Sequence, residues 1–210
     1  ALYGVEAIMT CFNCPQTRFN WSDATVCSPT PEEVALDMCL FDQEVRYVGD
    51  EVAAVAAISE EIARKALQLI DVEYELLPAI MDVHTAMEKE APLLHPEVNP
   101  VSNQLGCVHK VVGDIQKGFA ACDVIIEDTY CLPVAKQMQL ETQNALAVFS
   151  GDGKLTVWSP TQSPALAQRL ISNICNIPMS KIRVRNPGYV GGAFGVRIGL
   201  SSKAELMAVE

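Results

Sequence analysis

Three glycines in five residues, Gly191, Gly192 and Gly195, with Phe194 among them, are the residues of this chain best suited to hold an anionic group. Glycine takes positive φ readily and lets backbone N–H groups come close to a ligand. A β-like run, Ile182–Arg185, leads into the loop, and an apolar helix-like run, Ser202–Glu210, follows it. Strand, glycine turn and helix in that order would aim backbone amides and a positive helix end at a phosphate or an oxo group. The loop is neither of the two common phosphate motifs. Val196 and Arg197 stand where a P-loop needs Lys and Ser/Thr, and the spacing is G-G-x-x-G rather than G-x-G-x-x-G. On the glycines alone, the simpler reading is a tight turn with Phe194 plugging the core.

Other polar residues offer weaker signals. Gln162, in Ser159-Pro160-Thr161-Gln162, falls between a strand end and a helix start, where its amide could donate to an oxygen ligand in a cleft. A lone glutamine there is more often a capping or solvent-facing side chain. Glu141 follows Gln137-Met138-Gln139-Leu140 between two predicted strands. Cys11-Phe12-Asn13-Cys14 has the spacing of half a zinc site or a redox pair. No second C-x-x-C follows, so a zinc-binding module would need two of Cys27, Cys39 or a histidine to complete it. Most of the eight cysteines stand singly in apolar surroundings (Cys39, Cys107, Cys122, Cys131, Cys175), the usage of reduced thiols in a cytoplasmic protein. Cys11 and Cys14 are therefore read as incidental loop residues. His84, His95 and His109 are not paired at ligand spacing and read as surface or capping histidines.

These residues must be positioned by a packed domain. Half the sequence is hydrophobic and a fifth charged, which supports a core, and the length allows one to two domains. A net charge of −11 without a Lys/Arg cluster argues against nucleic acid or an anionic membrane as partner. The longest apolar run, Val52–Ile58, is far too short to span a bilayer. The opening Ala1-Leu2-Tyr3-Gly4-Val5 has neither an initiator Met nor a charged leader, so a piece of a longer protein is expected.

In the first half, Val5–Thr10 predicts a strand, Cys11–Pro31 a long turn-rich loop, and Gly49-Asp50 a turn. Val52–Ile58 predicts a buried strand. Ser59 predicts an N-cap for an amphipathic helix over Glu60–Ile70, with Glu60 and Glu61 in its first turn. Val72–Leu76 alternates strictly and predicts a half-buried strand, completing a β-α-β unit. Ala91–Asn103, with three prolines, is the likeliest linker stretch. Beyond it come a short helix at Ile115–Ala121 and a strand at Val124–Tyr130. Ala145–Phe149 and Leu155–Trp158 flank Ser150-Gly151-Asp152-Gly153, a strong hairpin signal. Pro164 is suited to the first turn of a helix running to Cys175.

Taken in order, Leu140-Glu141-Thr142, the Gly-Asp-Gly-Lys hairpin, Ser159-Pro160-Thr161-Gln162 and Gly191-Gly192-Ala193-Phe194-Gly195 resemble the xanthine dehydrogenase/aldehyde oxidase family of molybdenum hydroxylases. That family has an acidic motif, a Ser-Thr-Gln motif and a Gly-Gly-x-Phe-Gly loop at comparable spacing. Gly4–Thr10, Val45–Val55 and Val72–Ala79 look like its α/β hammerhead domain. The resemblance implies an α+β chain: an N-terminally truncated hammerhead domain over residues 1–97, a linker over 98–112, and the first part of a molybdenum-cofactor-binding domain over 113–210.

By the same resemblance, Gln162 matches the glutamine whose amide approaches an oxygen ligand of molybdenum. Phe194 and Gly195 match the pair whose backbone lies against the metal's apical ligand. Gly191 and Gly192 match the glycines that let the loop pass the pterin. Gln162 and Phe194 would thus lie beside the metal without ligating it. An anionic molybdenum centre calls for such neutral donors. The implied cofactor is molybdopterin, in its cytosine dinucleotide form in a bacterial enzyme, with 2Fe-2S centres and FAD on partner domains or subunits. The implied reaction is hydroxylation of an aldehyde or an N-heterocycle with oxygen from water, inside the full-length parent. The family's general-base glutamate would fall beyond residue 210, leaving no catalytic residue in this piece and none of the activity. Departures are Gln137 for a frequent His, Ala193 for Gly, Arg197 for Lys, and Ile198 where xanthine-type enzymes carry a substrate-binding Glu. A non-catalytic structural or interaction module that keeps the fold is the alternative beside the zinc module.

Overall fold

The computed structural model describes residues 2–20, 35–104, 109–200 and 202–209. Much of the predicted Cys11–Pro31 loop, and both Cys27 and Cys107, therefore lie outside the described residues. Two small sheets organise the rest. In the first, β1 (Val5–Thr10) pairs antiparallel with β2 (Ala53–Ala57), with a register shift between Val5 and Ala7. The helix α1 (Glu60–Leu67) lies against β2. Ser59 caps it by accepting from the Ile62 N–H at 3.4 Å. Glu60–Arg64 and Glu61–Lys65 ion pairs line its exposed face, worth roughly 0.3–0.5 kcal/mol each. The alanines of β2 let α1 approach closely, although the strand is half-buried rather than buried.

The second sheet has the order β3-β4-β5. Leu146–Phe149 (β3) and Leu155–Trp158 (β4) form the expected hairpin, and Ile182–Arg185 (β5) runs parallel to β4. Between β4 and β5 the chain makes α4 (Pro164–Ile174), which packs on β5. Pro164 sits in the first turn, where its missing N–H costs nothing. Leu166, Ala167, Leu170, Ile171 and Ile174 recur at helical spacing and are all buried. Asn176, at φ 53°, ends the helix in the left-handed region. Short helices α2 (Val83–Ala86) and α3 (Ile115–Ala120) are capped by Asp82 and Asp114, and α5 (Ala204–Val209) closes the described chain.

The buried core spans both halves of the sequence. Phe19, Leu40 and Phe41 join Leu155, Val157, the inner face of α4, Ile182, Leu200, Leu206 and Val209 in one cluster. An ion network also crosses between the halves. Lys203, only 3% exposed, reaches Glu51 at 2.9 Å and Asp50 at 3.4 Å beside the predicted Gly49-Asp50 turn. Arg46 pairs with Asp42 at 3.0 Å and donates to the Leu94 carbonyl at 2.9 Å. These groups border a cavity of about 330 Å³ with Cys39 and His95 in its wall. Burial, reinforced by Asp42, pushes the Cys39 thiol up to about 11. His95 contacts Glu97 at 3.1 Å and is mostly buried, not a surface residue.

Two predicted strands do not form. Val72–Leu76 alternates as a strand should and Val124–Tyr130 opens on a β-branched apolar run, yet neither pairs with another strand among the described residues. Leu76 is 93% exposed, and Ile126 and Tyr130 are also exposed. Alternation assigns side chains to two faces, but a strand also needs a neighbour for its backbone groups. The β-α-β unit is consequently absent. Its first strand, β2, pairs instead with β1, antiparallel, with α1 beside it.

A glycine loop clasped beside Gln162

The glycine loop is held by the two segments that precede it in the order of motifs. At the end of β4, the Ser159 N–H continues the β4–β5 pairing by donating to the Arg185 carbonyl at 3.0 Å. The Ser159 hydroxyl donates to the buried Glu205 carboxylate. The buried Thr161 hydroxyl bonds the Gly199 carbonyl and accepts from the Ser163 N–H at 3.0 Å. The Gln162 N–H then donates to the Arg197 carbonyl at 2.8 Å. These bonds stitch the returning arm of the loop to the start of α4, while the Gln162 side chain remains exposed.

The leading arm rests on Glu141. The Gly191 N–H donates to Glu141 Oε2 at 2.8 Å, and Arg197 Nη1 donates to the same oxygen at 2.6 Å. Arg197 Nη2 donates to the Glu141 carbonyl at 2.6 Å. The Arg197 side chain is 0% exposed, so its charge has left water entirely and depends on this partner. Gly191 has no room for a side chain: a Cβ there would lie 2.4 Å from that of Glu141. The Gly191 amide first, and then the Arg197 guanidinium, hold the Glu141 carboxyl below the usual glutamate range.

At the tip, Phe194 has φ 49°, a region that side-chain-bearing residues of its size rarely enter. Strain of this kind persists where its surroundings impose it, often at functional sites. Its ring folds back over Gly192, where a Cβ would meet Phe194 Cε2 at 2.9 Å. Phe194 is 72% exposed, so it does not plug the core. The strand–loop–helix arrangement is not formed either. Residues 194–197 make a turn, and α5 begins only at Ala204, so α5 does not open directly from the loop.

The structure thus brings Gln162, Gly191, Gly192, Phe194 and Gly195 onto one stretch of surface, with Glu141 and Arg197 beneath. The sequence reading missed the Glu141–Arg197 pair, because residues 56 positions apart leave no local pattern. The C-x-x-C cysteines are elsewhere. Cys14 Sγ approaches the Phe41 carbonyl at 3.8 Å and accepts from Gln16 at 3.1 Å. Among the described residues, no three His, Cys, Asp or Glu side chains are grouped to hold a metal ion.

Two family matches divide the sequence. Residues 1–78 match the aldehyde oxidase and xanthine dehydrogenase a/b hammerhead domain, and residues 94–209 match the molybdopterin cofactor-binding domain. The chain belongs to the xanthine dehydrogenase/aldehyde oxidase family of molybdenum hydroxylases. A probable hypoxanthine oxidase of Escherichia coli K12 is 35% identical across 93% of this chain and 23% of its own length. The nicotinate dehydrogenase large molybdopterin subunit of Eubacterium barkeri is 32% identical across 78% of this chain and 37% of its own. The solved CO dehydrogenase of Oligotropha carboxidovorans superposes on the whole chain with a TM-score of 0.79 at 27% identity, using 26% of that chain. This member of the molybdenum hydroxylase family spans about a quarter of the length of several such relatives.

Proposed function

We propose that this chain supplies the Gln162 and glycine-loop edge of a molybdenum–pterin site in an enzyme that oxidises an aldehyde or an N-heterocycle. The observation that supports the reading is the Gln162 N–H to Arg197 carbonyl bond, which ties the Gln162 backbone to the loop that carries the strained Phe194. The donor set suits an anionic cofactor. It consists of an exposed neutral amide and the loop's own backbone amides, and Glu141, the carboxylate that touches the loop, is neutralised by Arg197. When bound, the cofactor supplies two-electron oxidation with oxygen drawn from water. Gln162 and the Phe194–Gly195 pair would lie beside the metal, and Gly192 would let the backbone pass the pterin. Gly191 admits the loop at its base. Glu141, held ionised by two donors, is a poor proton acceptor near neutral pH, so its part is to hold the loop.

Two named relatives support the N-heterocycle branch, since hypoxanthine and nicotinate both have that chemistry. Residues 1–97 are read as hammerhead domain, 98–112 as linker and 113–210 as cofactor-binding domain. The cytosine dinucleotide form of the pterin, and electron exit through 2Fe-2S centres to FAD on partner domains or subunits, complete the proposal, in a cytoplasmic setting. No described helix is long and apolar enough to cross a membrane. The test is turnover of a panel of aldehydes and N-heterocycles by the full-length protein with its subunits in ¹⁸O-water. One labelled oxygen per product is expected. Label arriving from O₂ instead, or no turnover by molybdenum-replete protein, would overturn the reading.

A further inference from the structure

The loop is gripped at both ends by one carboxylate. Glu141 Oε2 receives the Gly191 N–H at the entry and Arg197 Nη1 at the exit, at 2.8 and 2.6 Å. Between these anchors the structure places one internal backbone bond, from the Val196 N–H to the Ala193 carbonyl at 3.1 Å. Glu141 thus ties the loop's entry directly to its exit, which Gln162 and Thr161 hold to the start of α4, and the loop tip inherits that spacing. The Gly191 amide is already committed to Glu141, and the space a side chain would occupy is filled by the Glu141 Cβ.

We infer that Glu141 and Arg197 are positioning residues, a clasp that fixes the Gly192–Gly195 backbone for the cofactor, and that Gly191 serves this clasp rather than the cofactor. The inference rests on the cofactor-facing reading of the loop given above. A hydrogen bond to a charged group is stronger than one between neutral groups, and a planar guanidinium can hold a side-chain and a main-chain oxygen of one residue together. Arg197 does this at Glu141, where lysine would offer a single charged point.

The test uses the full-length protein with its subunits and two readouts besides activity: molybdenum per chain, and hydrogen exchange by mass spectrometry. In E141Q, exchange in the peptide covering residues 188–197 is expected to rise about tenfold, while peptides from β4, β5 and α4 keep wild-type rates. Molybdenum per chain is expected to fall with it. R197K, which keeps the charge and loses the second bond, is expected to fall between E141Q and wild type. G191A leaves both charges in place, and is expected to loosen the same peptide, which covers the case of an E141Q protein that folds poorly. Unchanged loop exchange in E141Q and G191A would overturn the clasp, as would a rise shared equally by β4, β5 and α4. Wild-type protein without molybdenum would sink the cofactor reading alone, because loop exchange in that metal-free protein still decides the clasp.

Discussion

Two glycine-rich turns in this chain look alike in sequence and differ in what the glycines are for. The 150–154 turn joins β3 to β4 and closes on itself. The Ser150 N–H donates to the Lys154 carbonyl at 2.8 Å, the Gly153 N–H to the Ser150 carbonyl at 2.9 Å, and Lys154 pairs with Asp152 at 2.7 Å. A Cβ at Gly151 or Gly153 would meet nothing within 4 Å. The 191–197 loop instead spends its bonds on Glu141, 50 and 56 positions away, and a Cβ at Gly191 would strike that residue. In the first turn glycine serves the bend of its own chain. In the second it makes room for another segment, so a substitution there is felt at a distance.

That contrast can be broken by experiment, and the largest effect is expected at Glu141. Glu141→Ala leaves the Arg197 charge buried without its partner. The loss should be roughly 3 kcal/mol, the low end for a broken buried pair because Glu141 is itself partly exposed. Denaturant midpoints of the variant and wild type measure it. Gly191→Ala should cost about 2 kcal/mol through overpacking against Glu141, and a midpoint equal to wild type would refute the close approach. Gly153→Ala should cost about 1 kcal/mol, because its φ is 74° although the space is open. Gly151→Ala has neither problem and should stay within about 0.5 kcal/mol of wild type. If Gly151→Ala and Gly191→Ala proved equally costly, the distinction between the two turns would collapse.

Acid titration sharpens the same contrast. The Glu141 carboxyl is depressed in the folded chain by the Gly191 amide and then by Arg197. A depressed carboxylate contributes stability above its unfolded pKa, near 4.5, and loses it as pH falls through the lower folded value. Wild type should therefore lose more stability than Glu141→Gln between pH 6 and pH 3. Asp152 is depressed as well, by Lys154 and Ser150, but both it and Lys154 are exposed. Its contribution should fade in high salt, whereas that of Glu141, paired with a buried guanidinium, should persist.

Local patterns in the sequence were enough for the elements that close on themselves. Pro164 and the spacing of Leu166, Leu170 and Ile174 define α4, Ser59 and Asp114 mark helix starts, and Ser150–Gly153 marks the hairpin. Patterns that need a distant partner were not legible. Val72–Leu76 has the alternation of a strand and Val124–Tyr130 a β-branched apolar start, and neither has a neighbouring strand to pair with among the described residues. Lys203 beneath Asp50 and Glu51, and Arg197 beneath Glu141, are pairings across the fold that charge type alone does not reveal. The site was read from motif order rather than from any one residue. Gln162 alone favoured a capping role, and only its place before the glycine loop pointed to a cofactor. The structure adds the bond from its backbone to Arg197 that puts the two together.

The most direct test of that account is the amount of molybdenum and organic phosphate per chain in the full-length protein purified with its subunits, for wild type, Gln162→Ala and Phe194→Ala. Stoichiometric molybdenum in wild type, with activity collapsing in both variants, is the predicted result. A well-folded full-length wild-type protein that carries no molybdenum would contradict it, and the glycine loop would then be a structural turn.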